Sequence, residues 1–373
     1  MDDKKNSVRY PRVVVNLEKL KRNAIIITGL CRVQGISVCG VFKGLEQRKE
    51  CIKAISEGGV VQMAGSRIAH LEAAREAGVK VPLMLLRMPL LSEVERVVQL
   101  ADYSLATEKE CIAKVNEYAK KYGKIHNIIL MADIGDLREG YWDKDELVDV
   151  AEWVENELEN VHLAGVGINV GCYGGIEPTP EKLSELVVIK DKVEARIGRK
   201  LEIVSGGGTT SLPRILVGDG NMPKGINHLR IGEGIILSHD LGHYFGVDTP
   251  YMEEDTFRLQ MELVEVKEKP SYPVGELGKD VQGRQKVFID KGIRKKGLAI
   301  CGYVDYGNVE SVIPLDKGVE ILEACSDYTL LDLTEAGKDY KIGDILEFSI
   351  DYEAMAHLAK SKDIEFVYEK GAV

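Results

Sequence analysis

Ser37-Val38-Cys39-Gly40-Val41-Phe42 runs six small and apolar residues into a single lysine, Lys43. A near-continuous apolar run of this length reads as a strand buried on both faces of a parallel sheet, with the lysine at its carboxyl end. Parallel barrels keep their chemistry at that end. A lysine desolvated there by apolar neighbours is a nucleophile for an aldehyde and can form a Schiff base. Taken alone, the stretch also fits a surface lysine that opens the next helix.

Three further segments carry chemical potential. In Val204-Ser205-Gly206-Gly207-Gly208-Thr209-Thr210-Ser211 the glycines let backbone N–H groups approach an anion, and the hydroxyls add donors at a helix start. A phosphate suits this turn, and a plain flexible turn is the alternative. Ile226-Asn227-His228-Leu229-Arg230-Ile231-Gly232-Glu233-Gly234 sets an arginine in an apolar strand, either as an ion-pair strut or as a functional cation. Past another strand end, Asp133, Asp136, Arg138 and Glu139 cluster, and Asp136 and Glu139 read as solvated charges capping a helix. His239 and His243 are close enough for a metal only on a regular helix, which Gly242 argues against, so they read as solvent-facing.

The elements that must position these residues alternate regularly. Short apolar runs and amphipathic helices succeed one another about eight times, which predicts a closed (β/α)8 barrel over residues 12–245. An open doubly wound sheet would need a GxGxxG turn after its first strand, and none is present. From about Tyr251 the pattern turns to period two, with strands expected at 257–266, 286–290, 298–303, 319–325, 329–333 and 345–350. Residues 246–373, with 1–11, are therefore expected to form a mostly-β second domain. A formal charge of −11 argues against nucleic acid or an anionic membrane as partner. Seven scattered cysteines without a CxxC pair read as reduced thiols, and the expected location is cytoplasmic.

Lysine after the first strand, the Arg138 loop, the glycine-rich turn, the Arg230 strand and a trailing β domain together resemble the alanine racemase fold, a pyridoxal-phosphate class. The segments Gly165-Val166-Gly167-Ile168-Asn169-Val170-Gly171-Cys172-Tyr173-Gly174-Gly175, Leu229-Arg230-Ile231-Gly232-Glu233 and Gly292-Ile293-Arg294-Lys295 are similar to the ornithine racemase branch of that family. The resemblance implies that Lys43 carries the cofactor and is one of two racemising bases, and that Arg230 faces the pyridine nitrogen. It implies Ser205, Gly207, Gly208, Thr209, Thr210, Gly232 and Glu233 around the phosphate, with Asn169 behind the ring in place of a histidine. Arg138 resembles the arginine that steadies the opposing base and the substrate carboxylate. Tyr303, Asp305, Ser326, Asp327 and Tyr368 fall where the family contributes pocket residues.

Three positions depart from the family pattern. Gln47 replaces a phosphate-binding tyrosine. Met131 replaces a lysine that is carbamylated in several alanine racemases, removing that support for Arg138. The second base aligns with Val274, so Tyr272 serves only if its turn shifts by two residues, with Tyr303, Asp305 and Asp327 as rivals. The resemblance implies a racemase using pyridoxal 5'-phosphate and no metal, acting on ornithine or else lysine or alanine, as a head-to-tail homodimer with shared sites. A carrier of the cofactor without turnover, or an aldolase or decarboxylase on the same fold, is the alternative.

Overall fold

The computed structural model describes residues 8–217, 222–280 and 283–369. The chain divides into two compact units, Leu17–Thr256 and a second made of Phe257–Glu369 with the segment that ends at Asn16.

In the first unit eight parallel strands close into a barrel among the described residues: β2 (Ser37–Val41), β3 (Gln62–Gly65), β4 (Leu83–Leu85), β5 (Tyr103–Ala106), β6 (His126–Ala132), β7 (Val161–Ile168), β8 (Ile203–Ser205) and β9 (His228–Ile231). The barrel closes where β2 pairs with β9, Cys39 lying opposite Arg230. Cys39, Val41, Ala64, Met84, Leu105, Ile129, Met131, Ala164 and Ile203 form one packed cluster, so the barrel has a solid core. Where strands and helices press closest, side chains vanish. A Cβ on Gly40 would lie 2.9 Å from both Ile55 and Met63, and one on Gly165 would lie 1.9 Å from the Ile203 carbonyl oxygen.

The helices of this unit are α1 (Leu17–Val33), α2 (Lys49–Ser56), α3 (Ile68–Glu76), α4 (Val94–Leu100), α5 (Lys109–Lys121), α6 (Lys144–Glu157), α7 (Pro180–Ile197), α8 (Pro213–Leu216), α9 (Glu233–Ile236) and α10 (His239–Phe245). Helix α7 shows how sequence sets such limits. Thr179 accepts from the Lys182 N–H at 3.2 Å, Pro180 occupies the first turn, and Gly198 ends the helix at φ +75°. Contrary to the expectation from Gly242, His239 and His243 do lie on one helix. His239 is paired with Asp240 at 3.2 Å, and His243 packs edge-on against Tyr244.

The second unit is an antiparallel sheet in the order β12-β15-β10-β11-β14-β13, built from β10 (Phe257–Pro270), β11 (Ile293–Ile300), β12 (Val312–Pro314), β13 (Glu320–Ala324), β14 (Tyr328–Asp332) and β15 (Ile345–Ile350). Its short helices are α11 (Tyr303–Tyr306) and α12 (Tyr352–Leu358). Strand β1 (Arg12–Asn16) belongs here rather than with the barrel. It pairs antiparallel with β10 and parallel with β16 (Glu365–Glu369), so both edges of Val13-Val14-Val15 are bonded and all three are buried. The division thus falls after Asn16 and Thr256, whereas the sequence placed it at 12 and 245; residues 370–373 lie outside the described residues. Residues 286–290 are not a strand, because they pair with no strand among the described residues. Val287 is 92% exposed and Ile289 75%.

Candidate active site

At the strand ends of the barrel Arg230 is a buried cation. Its Nη2 donates to the Ile168 carbonyl at 2.7 Å, and its Nη1 donates to the Ser205 hydroxyl. Ser205 also meets His228 Nδ1 at 2.9 Å, and His228 Nε2 meets Gln62 Oε1 at 3.0 Å. The Gln62 oxygen can only accept, so a neutral His228 donates to it through Nε2, and Nδ1 accepts from the Ser205 hydroxyl. Burial, with Arg230 adding to it, pushes His228 down to about 3, so this imidazole stays neutral. Burial also lowers Arg230 to about 10, with Cys39 and Glu139 pulling the other way; the guanidinium remains charged at neutral pH. Gln62 and His228 carried no signal in the sequence, because only barrel closure brings them together.

Lys43 follows β2 and opens a tight turn, Lys43–Leu45, at the carboxyl end of the strand. Phe42 before it is wholly buried, whereas Lys43 is exposed in the single chain and not desolvated as its apolar neighbours suggested. The turn is anchored by Glu46, at φ +50°, whose carboxylate meets the buried His70 at 3.0 Å. Gln47 is exposed.

The glycine turn after β8 is tightly determined. Gly207 sits at φ +109°, its carbonyl accepts from the Arg230 N–H at 3.0 Å, and a Cβ on Gly208 would lie 3.1 Å from the Arg230 carbonyl. Thr209 accepts from the Gly234 N–H at 3.3 Å, and Thr210 donates to the Val170 carbonyl at 2.8 Å. Gly232 precedes α9, which Glu233 opens, and a Cβ on Gly232 would lie 2.9 Å from the Val41 carbonyl oxygen. The turn, the start of α9 and the end of β2 therefore meet. Asn169, just past β7, has a buried side-chain nitrogen without a protein partner.

Arg138 occupies a different setting. It is exposed, its Nε lies 2.9 Å from Glu139 Oε2, and its Nη1 donates to Cys172 Sγ at 3.2 Å. Asp136 is not a solvated cap. Buried to 1% exposure, its carboxylate accepts N–H groups from Gly171, Cys172, Tyr173 and Gly174 at 3.0–3.2 Å. Burial alone would raise its carboxyl, but these donors outweigh it and hold the group below the usual range. Glu139 is half-buried rather than solvated, and burial raises its carboxyl against the pull of Arg138 and Arg230. Met131 is fully buried in the barrel core.

In the second unit the structure brings several expected residues together. Gly302 has no room for a Cβ, which would lie 2.1 Å from the Ser326 carbonyl oxygen. That close approach sets Tyr303 Oη 3.2 Å from Ser326 Oγ and the Tyr303 N–H 3.0 Å from the Cys325 carbonyl. Asp305 takes the Gly302 N–H at 3.4 Å and the Ser361 hydroxyl at 3.4 Å, while Asp327 is exposed. Tyr368 lies on β16, beside Val15 of β1. Tyr272 stands apart from this cluster, 40% exposed on the arm beyond β10, with its ring edge-on to Phe288 at 6.3 Å.

A parallel barrel followed by an antiparallel β unit is the fold of the alanine racemases. The enzyme from Streptomyces lavendulae superposes with a TM-score of 0.74 over 98% of this chain and 99% of its own, at 16% identity. Residues 15–239 match the family "Alanine racemase, N-terminal domain". A lysine racemase from Thermotoga maritima is 38% identical over 87% of this chain and 89% of its own. An ornithine racemase from Acetoanaerobium sticklandii is 37% identical over 87% and 90%. The chain belongs to the alanine racemase family and is a pyridoxal-phosphate-dependent amino-acid racemase.

The site accommodates that cofactor. A buried permanent cation, a turn whose backbone crowds a Cβ at Gly208 and excludes one at Gly232, and the orphaned Asn169 nitrogen suit a planar, phosphorylated ring.

Proposed function

We propose that this racemase interconverts the enantiomers of basic amino acids, ornithine and lysine foremost. The observation that carries the reading is the similarity to enzymes named for these two substrates, at 37–38% identity over 87% of the chain. Lys43 would hold the cofactor through its aldehyde, and Gly207, Gly208, Thr209, Thr210, Gly232 and Glu233 would hold its phosphate. Asn169 would support the ring, and Arg230, oriented by Ser205, would bind the ring nitrogen. Bound there, the cofactor supplies an electron sink that acidifies the α-C–H of the amino acid.

The chain's own residues do the rest. Arg138 takes the substrate carboxylate with its planar fork. The Lys43 amine removes or returns the α-proton on one face, and Tyr272 does so on the other. Because Tyr272, Tyr303, Ser326 and Asp327 lie in the second unit, we place them in the site of a second copy, in a head-to-tail homodimer. Asp327 pairs with the distal ammonium of the substrate, since Asp305 already serves the start of α11. Tyr368, also in the second unit, is placed there with them. Seven unpaired cysteines support a cytoplasmic setting.

The test is α-proton exchange in deuterium oxide with L- and D-ornithine, lysine, alanine and serine. Exchange is expected to be fastest with ornithine or lysine and to vanish in Lys43→Ala together with the cofactor's yellow absorbance. Retained racemisation in Lys43→Ala would overturn the site. Full activity in a monomer at dilution would overturn the shared-site dimer.

A further inference from the structure

Arg138 stands on a backbone that is held from several directions. Leu137 before it has φ +57°, in the left-handed region that costs a branched residue on the order of 1 kcal/mol, and its side chain is 61% exposed. Packing of Leu137 therefore does not explain that conformation. Neighbouring carboxylates do. Asp133 accepts the N–H groups of Gly135 at 2.8 Å and Leu137 at 3.1 Å, and Asp136 gathers four N–H groups of the 171–174 loop. Two glycines of that loop are required by this arrangement: Gly171 at φ +74°, and Gly174, whose Cβ would lie 2.9 Å from the Asp136 carbonyl oxygen. Through the loop, Asp136 fixes where Cys172 stands, and Cys172 meets one end of the guanidinium.

The other end meets Glu139. Its Oε2 is buried and lies 2.9 Å from Arg138 Nε, yet off the N–H axis, so that it makes a close ion pair without a straight hydrogen bond. An exposed surface pair is worth little, but here the carboxylate side chain is only 18% exposed and the arginine is also gripped by Cys172. Arg138 Nη2 has no protein partner among the described residues.

We propose that Glu139 is a positioning residue for Arg138, turning the guanidinium so that its unpartnered Nη2 meets the substrate carboxylate, with Asp136 anchoring the loop that closes the opposite side. The proposal rests on the reading of Arg138 as the carboxylate site. It assigns to a carboxylate in the same loop the anionic support that the buried Met131 side chain does not provide.

The test uses the cofactor-loaded enzyme and two probes, 5-aminopentanoate and pentylamine, which differ by one carboxylate; binding is read by calorimetry. Glu139→Gln is expected to weaken 5-aminopentanoate about tenfold and leave pentylamine unchanged, the size of one charge-assisted contact. Glu139→Asp should recover part of the loss, and Arg138→Ala should show the full selective loss. If Arg138→Ala is selective and Glu139→Gln binds both probes like the unaltered enzyme, the positioning role is overturned while the carboxylate site stands. If Glu139→Gln weakens both probes equally, the role is again overturned, because a general structural effect does not single out the carboxylate. If Arg138→Ala shows no selectivity, the carboxylate site itself falls, and the positioning role with it.

Discussion

The two arginines of the barrel mouth are held in opposite ways. Arg230 is fully enclosed and bonded to fixed partners, a hydroxyl and a carbonyl, with a neutral histidine and a glutamine behind them. Arg138 is exposed and is flanked by a carboxylate and a thiol on loops. A charge taken out of water is tolerated only with its donors satisfied, so the Arg230 arrangement is also part of what holds the barrel together. A charge left in water contributes little to the fold and is free to meet a ligand. The structure thus separates a permanent cation from one that answers to substrate.

Removing each in turn should expose that difference. Arg230→Ala leaves Ser205 and the Ile168 carbonyl without their partner inside a packed barrel, and is expected to cost about 3–5 kcal/mol in urea unfolding along with cofactor binding. Stability of an Arg230→Ala protein within 1 kcal/mol of the parent would break the comparison.

Acid should act on two buried histidines of the barrel, His228 behind Arg230 and His126 at the start of β6, whose Nε2 lies 3.0 Å from Ser104 Oγ. His228 and His126 are each pushed to about 3 by burial, so between pH 6.5 and 3 the unfolded chain binds protons that the fold does not. The stability they represent is complete above pH 6.5 and falls with pH, by about 1.4 kcal/mol per unit for each histidine. Melting temperatures across that range should decline less in His126→Gln, whose amide does not titrate.

Asp136→Asn sits between the extremes. An amide offers one acceptor oxygen where the carboxylate offers two, so some of the four N–H donors lose their partner; about 1–3 kcal/mol of stability should go, read by thermal melting. The smallest effect on stability is expected at Arg138→Ala, within about 0.5 kcal/mol of the parent, while its racemisation falls about a hundredfold or more. A large loss of stability there would show that Arg138 is a strut like Arg230.

Much of this was legible in the chain. The barrel could be read because each βα unit writes its own period and caps, and in the second unit Ile345–Ile350 falls where the period-two spacing put it. Strand pairing was less legible. Nothing local distinguishes Val13-Val14-Val15, which pairs with two strands, from Val287-Phe288-Ile289, which joins no strand among the described residues. The carboxylates of the Arg138 loop were misread for a related reason. Asp136 looks like a solvated cap until the 171–174 loop, 35 residues on, folds over it.

Residue type and spacing by themselves determined the alternating barrel, the lysine after its first strand, the glycine-rich turn and an arginine committed to an apolar strand. These follow from interactions between residues near in sequence. Which carboxylate faces which arginine, which histidine stays neutral and which terminal strand joins which sheet were decided by tertiary structure alone. Burial and hydrogen-bond partnership are set by groups distant in the chain, and the free energy of a charge depends on what finally surrounds it.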